Sequence, residues 1–156
     1  MHRSAIHTPL GWMNAETSDW AVLALYFTPH PHEGESDHPL IVSMKNQLEA
    51  YFSGKNLDLR LPLDPPGTAF QRAVWEKVCA VKPATTISYS LLARQCGREY
   101  SVRAVAAAVA ANPVALLVPC HRINGSNGRL SGYAWGIERK QWLLEHEKQF
   151  GQLRLF

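Results

Sequence analysis

The 156-residue chain has only three cysteines, Cys79, Cys96 and Cys120, and no two are closely spaced. An odd count with wide gaps argues against a disulfide framework or a four-cysteine zinc site and fits reduced thiols. Long apolar runs are also missing. The longest aliphatic and aromatic stretch, Trp20 to Phe27, falls far short of the roughly 18 residues a membrane helix needs. Met1-His2-Arg3-Ser4 lacks the charged-then-apolar pattern of a signal peptide. The expectation is a soluble, cytoplasmic protein with no membrane partner. A strong charge of either sign is absent too. The net charge of +3 permits a nucleic-acid partner without demanding one. What is present is 46% hydrophobic residues, enough for a core, in a length that suits one or two small domains.

The first part reads as an α/β module. Trp20 to Phe27 is a plausible buried strand. Thr28 to Asp37 holds two prolines, a glycine and several polar residues, so it reads as a loop. Ile41, Met44, Lys45, Leu48 and Phe52 recur at helical spacing, with the Lys45 stem at an edge, and Gly54 offers a stop. Leu57, Leu59, Leu61 and Leu63 alternate with polar residues or proline, a strand signature. Asp64-Pro65-Pro66-Gly67 is the strongest linker signal, which places a boundary between domains 1–66 and 67–156.

The second part is mostly helical. Phe70, Val74 and Val78 share one face of a helix that Pro83 ends. Ser88 is a candidate N-cap for a helix from Tyr89 to about Cys96, with Gly97 as its stop. After a short turn, Ser101 can cap Val102 to Ala111, and Asn112-Pro113 ends that helix. Two short helices around a glycine-containing turn match a helix-turn-helix, and equally an ordinary helical hairpin. Ala104, Ala106, Ala107, Ala108, Ala110 and Ala111 leave the second helix nearly bare. Alanine is the best helix former; small side chains also let a backbone approach a groove closely. Arg103 is the one large polar side chain near its start, where a recognition helix usually meets DNA.

Ala115 to Val118 reads as a buried strand leading into Pro119-Cys120-His121-Arg122. The thiolate is the reactive form of cysteine, and a free thiol has a pKa of about 8.5, so a base or positive neighbour is needed at neutral pH. His121 can serve Cys120 only if the chain turns there, because neighbours on a strand face opposite ways. Ile137 to about Lys148 reads as a helix that carries Glu147 on the face of Ile137, between Leu143 and Leu144. Glu147 is either exposed at a fraying end or buried and paired. Lys140 falls on the same face, either with its stem along the surface or with a role still to be assigned. In a Cys–His–Glu relay, Glu147 orients His121 and His121 takes the proton of Cys120. Cys79 and Cys96, inside amphipathic helices, read as small buried hydrophobes.

In order along the chain stand Asn112-Pro113-Val114, Val118-Pro119-Cys120-His121-Arg122, Ser131-Gly132-Tyr133 and Trp142-Leu143-Leu144-Glu145-His146-Glu147. Ser88-Tyr89 and Arg103-Ala104-Val105 lie upstream. Together they closely resemble the O6-alkylguanine-DNA alkyltransferases. The clear match runs from about Phe70 to Glu147. Pro9-Leu10-Gly11 and Tyr51-Phe52-Ser53-Gly54 extend it loosely into the first part. The Pro-Cys-His-Arg core with its upstream asparagine is a highly specific signal.

The resemblance implies an α/β N-terminal module, a small antiparallel sheet plus helix, that supports a mostly α-helical, winged-helix-like domain with a helix-turn-helix. It implies direct repair of O6-alkylguanine and O4-alkylthymine in double-stranded DNA, with one irreversible transfer to Cys120 per molecule and no cofactor. His121 resembles the base, acting through a bound water, and Glu147 the carboxylate that orients it. Asn112 matches a hinge asparagine. Tyr89 matches the tyrosine that helps rotate the nucleotide and gives a hydrogen bond or proton to N3 of the departing guanine. Arg103 matches the arginine that fills the gap left in the duplex. Ser88, Ser90, Val102, Ala104, Ala107 and Ser126 fall where the family touches DNA. Val109, Ile123, Tyr133, Ala134 and Trp135 fall at the alkyl pocket. The carbonyls of Cys120 and Ile123 match acceptors for the guanine amino group, and the Ala134 N–H matches a donor to O6. The partner is the DNA minor groove, bound by a monomer that can cluster along the duplex.

Two features depart from the pattern. Some relatives hold a structural zinc with cysteines and histidines of the N-terminal domain. No cysteine precedes Cys79 here, and His30, His32 and His38 read as surface histidines, so no metal is expected. Trp135 stands where several relatives have glycine and is expected to narrow the pocket. The alternatives are a non-enzymatic alkyl-lesion sensor, in which the cysteine is replaced, and a helix-turn-helix regulator, for which Cys120, His121 and Glu147 would have no purpose. A general cysteine hydrolase would leave the alanine-rich helix and Arg103 unexplained.

Overall fold

The computed structural model describes residues 1–97 and 101–153. The turn expected between Gly97 and Ser101 lies outside them. Contacts divide the chain into two compact units, residues 1–66 with 113–117 and residues 67–112 with 118–156. The sequence reading had no counterpart for the short excursion at 113–117.

Unit one is a three-stranded antiparallel sheet in the order β1 (His2–Thr8), β2 (Gly11–Thr17), β3 (Val22–Phe27), with helix α1 (Pro39–Phe52) against it. β1 pairs with β2 from His2↔Thr17 to Thr8↔Gly11. Neither strand shows the apolar alternation by which β strands are recognised. β1 buries Ser4, Ile6 and Thr8, two of them polar, and β2 buries the consecutive run Met13, Asn14 and Ala15 as well as Thr17. α1 buries Ile41, Met44, Leu48 and Tyr51, and His38 Nδ1 caps it by accepting the Leu40 N–H at 3.2 Å. Gly54 follows at φ 81°, a left-handed conformation in which glycine meets no Cβ penalty.

Two expected strands are absent from this unit. Leu57 to Leu63 is extended but makes a single parallel bridge, Leu63 to Val22. The Gln47 side chain instead takes both backbone groups of Arg60, at 2.8 and 2.9 Å, and Pro62 has no N–H to offer. Ala115 to Val118 is buried, as expected, but forms a turn with Leu116 at φ 70°; only Val114 bridges to Leu25.

Unit two packs three short helices together, α2 (Ala69–Cys79), α3 (Tyr89–Cys96) and α4 (Val102–Ala110). Each begins at a hydroxyl cap: Thr68 in a capping box with Gln71, Ser88 accepting from Leu91, and Ser101 accepting from Ala104. Trp75 locks α2 to α4 by donating its indole N–H to the Ala108 carbonyl at 2.8 Å. Cys79 is exposed and Cys96 half-buried, against the expectation of two buried thiols. The inward stripe of α2 is Val74, Trp75 and Val78, and Cys79 lies just outside it. The last helix, α5, runs Ile137–Leu153, beyond the expected Lys148. Two-residue strands β4 (Ile87–Ser88) and β5 (Ile123–Asn124) pair in parallel, Ile87↔Ile123 and Ser88↔Asn124. This pairing fixes the start of α3 beside the segment that follows the Pro-Cys-His-Arg motif.

Candidate active site

Cys120, His121 and Arg122 form one turn of 3-10 helix. The chain therefore does turn at the motif, which lets neighbouring side chains serve one site. All three are buried, with His121 fully enclosed. Asn112, just past the end of α4, donates its side-chain amide to the Val118 carbonyl at 3.0 Å and to Cys120 Sγ at 3.2 Å. One amide thus ties the helix end to the reactive turn and points a donor at the sulfur.

Glu147 settles the choice left open by the sequence. It is fully buried on α5, with Oε2 2.7 Å from His121 Nε2. Arg122 clamps the same carboxylate from Nε to Oε1 at 2.8 Å and from a terminal nitrogen to Oε2 at 2.9 Å, and donates again to the Val81 carbonyl at 2.8 Å. The Ala84 N–H adds a further donor to Oε1 at 3.3 Å. Burial opposes the carboxylate charge, yet His121 and Arg122 together hold its pKa well below the usual range. His121 is pulled the other way: burial holds its pKa below the ordinary value despite Glu147. With Nε2–H donated to a carboxylate, the second ring nitrogen carries the lone pair. That Nδ1 is buried with no hydrogen-bond partner, so its lone pair is able to accept a proton.

The thiol rests protonated. Burial pushes Cys120 up to about 11, while the Asn112 hydrogen bond and the Lys140 charge pull the other way. A neutral buried thiol thus stands next in the chain to a histidine whose Nδ1 has no hydrogen-bond partner.

The other expected residues sort by face. Val102, Arg103, Ala104 and Ala107 are exposed on α4, whereas Val105, Ala108 and Val109 are buried. Ser88 caps α3, Ser90 is half-buried and Ser126 is exposed in the 126–128 turn. Tyr89 is half-buried at the start of α3, where burial raises its pKa and Ser131 nearby opposes the shift. The Tyr133 hydroxyl is buried with no partner of good geometry, but lies close enough to Cys120 that each shifts the other. The Trp135 ring packs edge-on against Tyr133 at 5.3 Å, and Ala134 between them is exposed. Ile123 is buried, and its carbonyl, expected to take the guanine amino group, already accepts from Lys140 Nζ at 2.6 Å. The Cys120 carbonyl likewise accepts the Ile123 N–H. Each carbonyl keeps a second lone pair. Sequence reasoning missed Arg122 and Ser131 as working parts and gave Lys140 no task. Only their places in the motifs and on the Glu147 face hinted at more.

The histidines of the first unit diverge. His32 lies beside Glu16, and His38 stacks on His2 at 3.9 Å while capping α1. His2, Asp19 and His38 bring three possible ligand atoms within 4.8 Å of one another. The His2–Asp19 pair at 2.7 Å, the ring stack and the cap account for this grouping as a tie between β1, the β2–β3 turn and α1. Among the described residues no helix is long and apolar enough to cross a membrane.

A latent thiol with a buried His–Glu base, on a helical unit with an exposed small-residue face, defines a cysteine group-transfer site. The family model of the 6-O-methylguanine DNA methyltransferase DNA-binding domain matches residues 69–149. The chain is 43% identical over 133 residues to the regulatory protein Ada of Salmonella typhimurium, covering 85% of this chain and 38% of that protein. It is 40% identical over 118 residues to a methylated-DNA–protein-cysteine methyltransferase of Methanosarcina mazei, covering 76% and 75%. The Mycobacterium tuberculosis OGT solved in complex with DNA superposes with a TM-score of 0.87 at 34% identity, covering 96% of this chain and 94% of that one. The chain belongs to the O6-methylguanine-DNA methyltransferase family.

Replacing Glu147 tests the buried cluster. Glu147→Gln strands the Arg122 charge in the interior and is expected to cost about 3–5 kcal/mol at neutral pH. Because the folded pKa is depressed, the stabilisation by Glu147 is complete above its ordinary value of 4.5 and is lost as pH falls toward the folded value. Urea unfolding should therefore show the gap between the native chain and Glu147→Gln narrowing below that pH. A gap under 1 kcal/mol at neutral pH, or one that is independent of pH, contradicts the assignment.

Proposed function

We propose that this protein repairs O6-alkylguanine, and O4-alkylthymine, in double-stranded DNA by moving the alkyl group to Cys120 once per molecule. The observation that carries the reading is the buried arrangement of Cys120 held by Asn112 beside His121, which Glu147 orients. The proton of Cys120 passes through a bound water to His121, and Glu147 stabilises the imidazolium. The sulfur attacks the alkyl carbon, the carbon–O6 bond breaks, and its electron pair returns to guanine. Tyr89 supplies a proton to N3, so guanine leaves neutral. The thioether has no hydrolytic exit, and the reaction needs no cofactor.

A base in a duplex lies out of reach of a buried thiol, so it must be flipped, at a cost of a few kcal/mol. Arg103, exposed on α4, fills the vacated stack. α3 and α4 act as the helix-turn-helix of a winged-helix-like domain. The bare face of Val102, Ala104 and Ala107 suits the narrow minor groove. Ser88, Ser90 and Ser126 supply contacts that position the backbone rather than read sequence. Residues 67–156 are the acting domain and 1–66 its support. The protein works in the cytoplasm as a monomer that can cluster along DNA. Val109, Ile123, Tyr133, Ala134 and Trp135 form the alkyl pocket.

Mass spectrometry of the protein after mixing with duplex carrying O6-methylguanine should find one added methyl, on Cys120, and none in Cys120→Ser. Turnover beyond one equivalent, or methylation elsewhere, contradicts the reading. Trp135, packed on Tyr133, should also limit adduct size: Trp135→Gly is expected to react with free O6-benzylguanine at least about tenfold faster than the native chain, as one lost bulky contact allows. Equal inactivation rates would remove Trp135 from the pocket.

A further inference from the structure

Gly151 stands in the last turn of α5, where alanine would be the better helix former. A Cβ built on it would lie 2.6 Å from the Ala84 Cβ and 4.0 Å from the Ala84 Cα. Ala84 belongs to the turn Lys82-Pro83-Ala84-Thr85, which the Thr85 N–H closes on the Lys82 carbonyl at 3.2 Å. Its φ of 63° is left-handed, a conformation that alanine resists and glycine adopts freely. The Ala84 N–H donates to Glu147 Oε1 at 3.3 Å. We infer that Gly151 is a positioning residue for alkyl transfer: its bare backbone forms a notch that seats the 82–85 turn, so that Ala84 holds the Glu147 carboxylate in place beside His121. The inference rests on the alkyl-transfer reading and adds to it a residue that acts through Glu147.

Glu147 and Gly151 are four residues apart, so they lie one above the other on the same face of α5. The turn meets both at once, a carboxylate at one level and open backbone at the next. Two methyl carbons pack at about 3.5–4.0 Å, so a side chain at 151 must drive the turn and α5 apart by about 1 Å. A hydrogen bond already at 3.3 Å does not survive that shift. Glu147 then keeps Arg122 and His121 but loses the donor from the turn. A carboxylate with one donor fewer leaves more of its charge for His121 and favours the imidazolium, the form that cannot take the proton of Cys120. The charged and titratable groups around His121 are Glu147 and Lys140 of α5, Arg122 and Cys120 of its own turn, and Tyr133, whose ring meets it edge-on at 6.5 Å. Pairing Gly151→Ala with Ala84→Gly removes the clash, since the new Cβ then meets the Cα of residue 84 at 4.0 Å, an ordinary contact.

The test is single-turnover methyl transfer from saturating duplex O6-methylguanine to Cys120, followed against pH, with the melting temperature of each chain. Gly151→Ala should slow transfer about tenfold or more, within what a misplacement of about 1 Å away from the chemistry costs. Its rate should begin to fall at a higher pH than the native rate as the solution is acidified. Its melting temperature should drop, although helix propensity alone would raise it. Adding Ala84→Gly should restore the rate and the native acidic fall, and should lift the melting temperature above that of the native chain. In a Tyr89→Phe background Gly151→Ala should cost the same factor to within about twofold, because the notch acts through the base and independent effects multiply. In the native chain, the Ala84 amide resonance should shift with the acidic fall of the rate, which covers the case in which Gly151→Ala does not fold. A Gly151→Ala rate within twofold of native, a loss that Ala84→Gly does not repair, a cost that disappears with Tyr89→Phe, or an Ala84 amide indifferent to the acidic fall overturns the inference while transfer itself stands. No transfer by the native chain overturns the alkyl-transfer reading, and the order of the melting temperatures still judges the notch.

Discussion

The site depends on one buried carboxylate. Glu147 sits fully enclosed on α5, where an unpaired charge would be untenable. It is held ionised because Arg122 meets it with two nitrogens, His121 with a third, and the Ala84 backbone with a fourth. The division of labour is physical. Arg122 carries the compensating charge, so His121 is free to remain neutral, and a neutral imidazole is the form that can accept a proton.

That cluster also organises the structure around it. The 120–122 turn brings His121 and Arg122 to the same carboxylate, and Arg122 reaches on to Val81 after α2. The β4–β5 pair sets Tyr89 one residue beyond Ser88, which is held beside Asn124. Asn112 anchors the same turn from the end of α4. Four helices are thereby referenced to one short stretch of chain, so the exposed face of α4 and the thiol keep a fixed relation within the second unit. Burial pushes the Cys120 thiol up to about 11, which favours its neutral form.

How much of this was legible depends on where each constraint comes from. α3 was readable because Ser88 and Gly97 mark both ends locally, and α1 because its apolar stripe is regular. β1 and β2 were not, because Ser4, Thr8, Asn14 and Thr17 point into the interior and erase the alternation. Leu57 to Leu63 misled in the opposite sense: the alternation is present, but Gln47 takes the backbone groups that a neighbouring strand would have used. Glu147 and Lys140 were visible as charges on an apolar helical face; the Cys–His–Glu pattern offered His121 as a partner for Glu147 and nothing for Lys140. The remaining partners lie elsewhere in the sequence, Ala84 and Arg122 for Glu147 and Ile123 and Ser131 for Lys140, and no local pattern records such pairings. The buried 115–118 segment shows the same limit: hydrophobicity gave its burial but not its turn at Leu116.

The central claim is that Glu147 and Arg122 keep His121 as a neutral base with a free ring nitrogen. The direct measurement is nitrogen NMR of the chain labelled in its imidazole rings, with His121 assigned by substitution. The account predicts the neutral tautomer at neutral pH, protonated at Nε2 and bare at Nδ1. An imidazolium at neutral pH, or the tautomer protonated at Nδ1, would contradict it.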